Sequence, residues 1–197
     1  MFGGRRRGVF RLLRHINIFR VDLPMDCVLN PKLFILPHAE IKESGLQNLT
    51  YGSLTKKGIK TLVSTLSKYT AAAHGLDLGC GDGELIYHLQ RALPDSSWEG
   101  VEISEHRVSS QMRDVCIWQG DMLEENFRVY NVLHADNLCL EDSVAERLEL
   151  KIIREFRGIY ISYRKAETME FIKNSVYLGS TITETTWTNH PIHFYRI

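Results

Sequence analysis

The sequence predicts an α/β fold whose central sheet has seven strands, the last two of them antiparallel. Apolar segments of strand length alternate with amphipathic helical segments from about residue 54 to residue 173, a pattern typical of a parallel sheet covered by helices. Residues 180–188 and 193–197 then alternate in polarity and are rich in β-branched and aromatic side chains. Asn189-His190-Pro191 stands between them as the predicted turn of a hairpin.

The size of the chain fits one folded domain. Its 197 residues, 44% of them apolar, are enough to bury about 70% of the surface of the unfolded chain. We expect a basic arm over residues 1–24 and the folded domain over residues 25–197. No apolar run approaches the eighteen or so residues of a membrane span, which predicts no membrane contact. The four cysteines include no Cys-x-x-Cys pair, so no metal site is predicted.

The predicted arm carries a segregated positive charge. The first twenty residues contain six arginines and no acid, which leaves 18 basic and 24 acidic residues in the remainder. Arg5, Arg6, Arg7, Arg11 and Arg14 are candidates for contact with DNA or with an acidic protein surface. An organelle presequence and a dispensable leader are the two alternatives for this segment.

The most specific signal is a glycine-rich segment, Asp-Leu-Gly-Cys-Gly-Asp-Gly over residues 77–83, at the end of a predicted strand. Gly79, Gly81 and Gly83 would bring bare backbone N–H groups and a helix N-terminus up to a ligand. A dinucleotide site requires Gly-x-Gly-x-x-Gly, and Glu84 stands where that pattern needs its third glycine. Because the acidic residues of this segment repel a diphosphate, the sequence favours a cationic cofactor.

Acidic residues follow the first three predicted strands. Asp77 ends the first, Glu102 ends the second at a position suited to ribose hydroxyls, and Asp121 with Met122 follows the third, placed to meet an adenine amino group. This arrangement resembles the class I S-adenosylmethionine-dependent methyltransferases, which have a Rossmann-like sheet. The resemblance implies S-adenosylmethionine, a cationic methyl donor without phosphate, as the cofactor.

Two further segments flank the predicted site. Ser53 is predicted to cap a helix ahead of the first strand, and the Tyr51-Gly52 turn before it is expected to fold over the methionine end of the cofactor. Residues 131–138 predict the fourth strand and a loop beside the transferable methyl group, where polar side chains are candidates to hold the nucleophile.

Several separated segments share, in order, the motifs of one enzyme family. They are YGSLT (51–55), LDLGCGDG (76–83), GVE (100–102), GDM (120–122), DNLCL (136–140) and WTNHPIHFY (187–195). Together they resemble the disruptor-of-telomeric-silencing type of histone lysine methyltransferase, the non-SET class. Ser53 and Leu54 depart from the family's Tyr-Gly-Glu-Thr loop, and Asp136 and Leu138 depart from its Asn-Asn-Phe-x-Phe segment.

This resemblance implies transfer of methyl groups to a lysine amine of histone H3 in the nucleosome, in the nucleus. We expect Trp187 and Phe194 to wall an apolar channel that favours the neutral amine. Asn137, expected to contact the cofactor as well, would hold that amine through its carbonyl oxygen. Asp136 is expected to contact the cofactor's ammonium group or backbone, and no residue stands out as a general base.

Two other functions remain open from the sequence. One is methylation of RNA, DNA or a small molecule, in which Trp187 would stack on a base. The other is a catalytically silent cofactor-binding or scaffold protein, which the changes at Asp136 and Leu138 suggest. An organelle location through the arginine-rich N-terminus is the alternative to the nucleus.

Overall fold

The computed structural model describes residues 30–197. Its seven strands are β1 (His74–Leu78), β2 (Ser97–Glu102), β3 (Ile117–Gln119), β4 (Val132–Ala135), β5 (Ile159–Ser162), β6 (Val176–Glu184) and β7 (Asn189–Arg196). They form one sheet in the order β3-β2-β1-β4-β5-β7-β6, in which β1 to β5 are parallel and β7 is antiparallel to both neighbours. The predicted fold class is confirmed. The expected basic arm, with its five candidate arginines, lies outside the described residues.

Six α-helices accompany the sheet in the described part of the chain. They are α1 (His38–Ser44), α2 (Lys56–Leu66), α3 (Glu84–Ala92), α4 (Glu105–Val108), α5 (Asp142–Glu155) and α6 (Met169–Asn174). Short 3₁₀ turns cover Pro31–Phe34 and Phe127–Val129. None of the described helices is both long and apolar enough to cross a lipid bilayer.

The strands β1, β2, β4, β5 and β7 are largely buried on both faces of the sheet, because helices cover each side. Helices α2 and α3 pack on one face, through a core that includes Leu62, Leu66, Ile86, Leu89, Ile161 and Phe194. Helices α5 and α6 pack on the other, through a core that includes Leu76, Leu133, Leu148, Ile152, Tyr160 and Phe171. Complete burial of one such leucine side chain contributes about 1.5–3 kcal/mol. These buried strands therefore consist mostly of apolar residues. Each polar side chain within them needs a hydrogen-bond partner.

Helix α2 begins two residues later than the sequence suggests. Its N-cap is Thr55, not Ser53, and the Thr55 hydroxyl accepts a hydrogen bond from the N–H of Gly58 at 3.1 Å. The Thr55 hydroxyl also donates to the Glu184 carboxylate at 2.8 Å, which fastens the start of the helix to the end of β6. Ser53 instead bonds Thr186, as its N–H donates to the Thr186 hydroxyl at 3.3 Å.

The C-terminal hairpin is confirmed, but the predicted position of its turn is wrong. Asn189-His190-Pro191 lies in β7, and the turn spans Thr185 to Thr188, where the Thr185 hydroxyl donates to the Thr188 carbonyl oxygen at 2.6 Å. Pro191 pairs with Ile182 of β6, whereas β5 pairs with β7 only from His193 onward. Because Pro191 lies beyond the end of β5, its missing N–H removes no bond to that strand.

Candidate active site

The loop between β1 and α3 carries three glycines with φ angles of +80° at Gly79, +60° at Gly81 and +78° at Gly83. A residue with a side chain loses about 1–2 kcal/mol in this left-handed region. The Gly79 N–H donates to the Val101 carbonyl oxygen at 2.8 Å, and the Gly81 N–H donates to Oε2 of Glu102 at 2.9 Å. The loop is therefore held against the end of β2.

The three glycines face different surroundings. A methyl group built at Gly79 would meet no described atom within 4 Å, so this position opens onto empty space. At Gly81 the same group would lie 2.4 Å from the ring of Tyr51, and at Gly83 it would lie 2.6 Å from Val115. Gly79 thus borders a cavity, whereas Gly81 and Gly83, expected to meet the cofactor directly, are covered by other side chains.

A large cleft lies where β1 to β4 reach their carboxyl ends. Six residues predicted to bind the cofactor line the cleft: Tyr51, Gly79, Glu102, Asp121, Met122 and Asn137. Arg107 and Arg147 also border it. The sequence therefore located most of this cleft, because parallel strands present their carboxyl ends at the same edge of a sheet.

Glu102 is the central acid of the large cleft and is almost completely buried. Its Oε1 accepts from the Ser104 N–H at 3.0 Å and lies 3.6 Å from Nη1 of the buried Arg107. Arg107 in turn donates to the carbonyl oxygens of Leu33 and Leu49. A carboxylate accepts about four hydrogen bonds, so Glu102 retains capacity for a ligand's hydroxyl groups.

Tyr51 lies between the glycine loop and Arg107, and its ring lines the large cleft. The Arg107 guanidinium lies 5.2 Å from the centre of this ring, a distance that permits a cation–π contact. Burial raises the pKa of the Tyr51 hydroxyl well above its ordinary value, so the ring stays neutral. The Tyr51-Gly52 turn thus covers the glycine loop at Gly81, while its predicted contact with the methionine end of the cofactor stays a prediction.

A smaller inner cavity adjoins the large cleft and shares Tyr51, Gly52, Gly79 and Asp136 with it. Its further lining is Ser53, Leu54, Asp77, Cys80, Leu85, His134 and Tyr163. Among the described residues it has two acidic side chains and no lysine or arginine. The inner cavity therefore suits a cationic or hydrogen-bond-donating group.

Asp77 and His134 occupy facing positions on β1 and β4 and form a buried pair. Nδ1 of His134 lies 2.7 Å from Oδ1 of Asp77. Nε2 of His134 has no hydrogen-bond partner among the described residues. Asp77, predicted as a cofactor ligand, therefore lines the inner cavity rather than the large cleft. One of its carboxylate oxygens already accepts a hydrogen bond from His134.

Asn137 is placed beside the cleft, but its amide already has partners. Its carbonyl oxygen accepts from the Ser162 hydroxyl at 3.0 Å and from the N–H groups of Tyr163 at 3.1 Å and Arg164 at 3.0 Å. Its Nδ2 donates to the Tyr160 hydroxyl at 3.2 Å. The expectation that this carbonyl oxygen holds an amine is contradicted, because the oxygen secures the loop after β5 instead.

The two aromatic residues predicted to wall a channel are separated. Phe194 is completely buried in the core, where its ring centre lies 5.5 Å from that of Tyr69. It lines neither cavity, so its expected place in a channel is wrong. Trp187 is half-buried in the hairpin turn, and a methyl group built at Gly52 would lie 1.7 Å from its ring. Because Gly52 borders both cavities, Trp187 lies directly behind their shared wall.

Comparisons with known proteins extend this picture. No protein-family model and no curated protein matches the sequence. Among solved structures, the chain is similar to magnesium protoporphyrin IX methyltransferase from Synechocystis with bound SAM, with 14% identity and a TM-score of 0.54 over 70% of this chain and 77% of that chain. The same enzyme with bound SAH gives 13% identity and a TM-score of 0.55 over 70% and 80%. TrmN from Thermus thermophilus gives 12% identity and a TM-score of 0.50 over 68% and 48%.

The chain has the class I methyltransferase fold. At these identities the likeness concerns the fold alone. None of these neighbours is named as a histone methyltransferase, so the finer resemblance drawn from the sequence stays a prediction.

Within this methyltransferase fold, sequence reasoning missed two site residues, His134 and Arg107. His134 lies in the short apolar run of β4, and Arg107 lies in α4 just after the Glu102 strand. A signal existed for His134, because an acid inside a buried parallel strand needs a polar partner on a neighbouring strand. Asp77 is that acid. Arg107 carried no comparable signal, since the two carbonyl oxygens to which it donates, those of Leu33 and Leu49, lie far away in sequence.

Asp136, which lines both cavities, gives this site a predicted pH dependence of stability. Burial raises the pKa of its carboxyl group from 3.8 to about 6. The folded state therefore holds the proton more tightly than the unfolded chain, and stability falls by up to about 3 kcal/mol as pH rises from 4 to 6. We expect Asp136→Asn to remove most of this decline, measured by denaturant unfolding at several pH values.

The exposed Asp95 supplies the control, since Asp95→Asn removes a carboxyl group that lies outside both cavities. The stability of Asp95→Asn should decline between pH 4 and pH 6 by as much as that of the unsubstituted protein. An equal decline in Asp136→Asn would show that the carboxyl group of Asp136 does not titrate as stated.

Proposed function

We propose that this chain is an S-adenosylmethionine-dependent methyltransferase. The observation that carries the proposal is the opening at Gly79, where a bare glycine with left-handed backbone faces empty space beside the buried Glu102. The residues present fit the cofactor. Glu102 would accept from ribose hydroxyls, Asp121 and Met122 would meet the adenine, and Asp136 would hold the ammonium group. When bound, the cofactor supplies an electrophilic methyl group attached to a positively charged sulfur.

The acidic lining supports a cation over a phosphate-bearing cofactor. Asp121 lies at the edge of the large cleft, and its Oδ1 already accepts from the Leu123 N–H at 2.8 Å, which fixes the turn after β3. Its second oxygen is available to an amino group. Arg107 and Glu102 offset each other's charge, which leaves Asp121 and Asp136 against the exposed Arg147 in the lining of the large cleft.

For the acceptor, we propose a lysine amine of nucleosomal histone H3. The first support is the family resemblance. The second is the contact between Trp187 and Gly52, which belong to two of the segments that carry the resemblance and meet at the wall shared by both cavities. The inner cavity would receive the amine beside Leu54 and Leu85, where Asp77 and Asp136 offer acceptors to its N–H groups. Neither Phe194 nor the carbonyl oxygen of Asn137 contributes to this proposal.

Nucleosome docking is assigned to the basic arm. Arg5, Arg6, Arg7, Arg11 and Arg14 would contact DNA phosphates or the acidic histone surface, and the protein would act in the nucleus. Contact of this kind weakens steeply with salt, since each arginine releases condensed counterions.

One labelling experiment tests the acceptor. The protein is incubated with methyl-labelled S-adenosylmethionine and, separately, with nucleosomes, free histones, RNA and DNA. Label in a lysine of H3, stronger in nucleosomes than in free histones, is the expected result. Label in RNA or DNA alone would overturn the histone proposal and leave the methyltransferase proposal standing. Cofactor binding without transfer to any acceptor, small amines included, would favour a silent scaffold.

Replacing Trp187 with alanine should separate donor binding from transfer. Trp187 packs on Gly52 but lines neither cavity, so we expect S-adenosylmethionine affinity to change less than about threefold. Lysine methylation should fall by about 100-fold, because the wall that positions the amine can shift. Calorimetry measures the first quantity and a single-substrate rate assay the second.

Tyr177→Ala is the matched control for Trp187→Ala. Tyr177 is an aromatic residue of the same hairpin, and it lines neither cavity. Its loss should leave the methylation rate nearly unchanged. If Trp187→Ala methylates lysine as fast as this control, Trp187 has no part in placing the acceptor.

A further inference from the structure

The buried pair of Asp77 and His134 has a defined hydrogen-bond direction. An ionised aspartate only accepts hydrogen bonds, so Nδ1 of His134 carries the proton that it shares with Oδ1 of Asp77 at 2.7 Å. In the neutral imidazole, Nε2 then holds a free electron pair. This geometry, a carboxylate that orients an imidazole through Nδ1, is the arrangement by which an aspartate prepares a histidine to take up a proton.

Nε2 of His134 is one of three buried side-chain polar atoms in residues 30–197 that have no hydrogen-bond partner. It is buried, and no described residue donates to it or accepts from it. Leaving a polar atom buried without a partner costs about 1–3 kcal/mol. The same histidine is among the residues that line the inner cavity.

The groups that face the inner cavity would stabilise a positive charge there. Asp77 on β1 and Asp136 after β4 are acidic, and the ring of Tyr163 from the end of β5 meets the His134 ring edge-on at 5.5 Å between centres. His190 of β7 stacks on the outer side of Tyr163. Tyr51 completes the wall from the loop before α2.

Other proton acceptors in the inner cavity are weaker candidates. Burial raises the pKa values of the Cys80 thiol and of the Tyr163 hydroxyl well above their ordinary values, so both keep their protons at neutral pH. Asp136 is ionised at neutral pH, but it is shared with the large cleft, where the cofactor's ammonium group would engage it.

We propose that His134 is the general base that deprotonates the acceptor amine in the inner cavity, with Asp77 as its positioning residue. This deepens the proposed function and rests on it. The N–H bond of the acceptor ammonium breaks, its proton moves to Nε2 of His134, and the electron pair stays on nitrogen, where methyl transfer requires it. The imidazolium is stabilised by the Asp77 carboxylate until the proton passes to water.

His134→Asn tests the proposal, because the shorter amide can still donate to Asp77 while the basic Nε2 is removed. We expect kcat at pH 7 to fall by about 10²–10⁴-fold with S-adenosylmethionine affinity within about threefold. The residual rate should rise about tenfold per pH unit from 7 to 9, since only the neutral lysine amine, with an ordinary pKa near 10.4, then reacts. The unsubstituted protein should show a flatter profile.

Asp77→Asn is the second variant, and it tests the proposal independently if His134→Asn fails to fold. An asparagine can donate to Nδ1, which turns His134 to the tautomer that carries its proton on Nε2 and cannot act as a base. The methylation rate of Asp77→Asn should therefore depend on pH as steeply as that of His134→Asn. Thr183→Val is the control, because it removes another buried polar atom without a described partner at a position outside both cavities.

The outcomes separate this inference from the proposed function. If the unsubstituted protein neither binds S-adenosylmethionine nor transfers its methyl group, the proposed function fails. If it transfers normally and His134→Asn keeps both the rate and the flat profile, only the role of His134 is overturned. A steep profile in Asp136→Asn but not in His134→Asn would give the role to Asp136 and also overturn the proposal.

Discussion

Replacing Gly79 with arginine is expected to lower S-adenosylmethionine affinity at least about 100-fold, or about 2.8 kcal/mol. The space in front of Gly79 is empty of described atoms and borders both cavities, so the new side chain would occupy the room that the cofactor needs. The fold should survive, because the arginine meets no described atom at its Cβ position. Calorimetry and thermal unfolding measure the two quantities.

Gly179→Arg is the matched control for this substitution. Gly179 also has a positive φ angle, +119°, and a methyl group there would likewise meet no described atom within 4 Å, but it lies in β6 outside both cavities. Both variants should lose about 1–2 kcal/mol of stability from backbone strain. Equal cofactor affinity in the two variants would place the cofactor away from Gly79.

Replacing Glu102 with alanine is expected to destabilise the fold by about 3–5 kcal/mol and to abolish detectable cofactor binding. The substitution leaves the buried guanidinium of Arg107 without its counter-charge, which is the costly way to break a buried pair. It also frees the Gly81 N–H, which holds the glycine loop to the end of β2. Denaturant unfolding and calorimetry provide the measurements.

A double variant separates the two consequences of losing Glu102. In Glu102→Ala with Arg107→Met, the unpaired charge is gone and an apolar side chain fills part of its volume, so stability should recover by at least about 1–2 kcal/mol. Cofactor binding should stay lost, because no carboxylate remains for the ribose. Recovered binding in the double variant would show that Glu102 acts on stability alone.

Much of the large cleft was predictable because spacing along the chain determines it. A glycine loop after β1 and acids at the ends of β2 and β3 must meet at one edge of a parallel sheet, whatever the details of packing. Gly79, Glu102 and Asp121 accordingly lie where the sequence predicts. The turn of the C-terminal hairpin was misplaced because Asn189 and Pro191 are strong turn residues, whereas the actual turn relies on hydroxyl hydrogen bonds of Thr185.

The direction of a side chain, and the hydrogen bonds that it already makes within the protein, could not be predicted in the same way. Strand β7 is buried on both faces, so alternation does not reveal that Phe194 points into the core beside Tyr69. Asn137 lines the large cleft, but its hydrogen bonds to residues 162–164 depend on how the loop after β5 returns to it. The partner of Asp77 required the register between β1 and β4, which only the folded structure supplies.

The hydrogen bonds between Ser53 and Thr186 span 133 residues of sequence and have a consequence for biosynthesis. During translation, the Tyr51-Gly52 turn leaves the ribosome long before the β6–β7 turn that anchors it. The glycine loop and the early parallel strands can therefore pair while the wall over them is still missing, since domains acquire structure as the chain emerges. We therefore expect the wall formed by Tyr51 and Gly52 to reach its final position only after Thr186 has emerged.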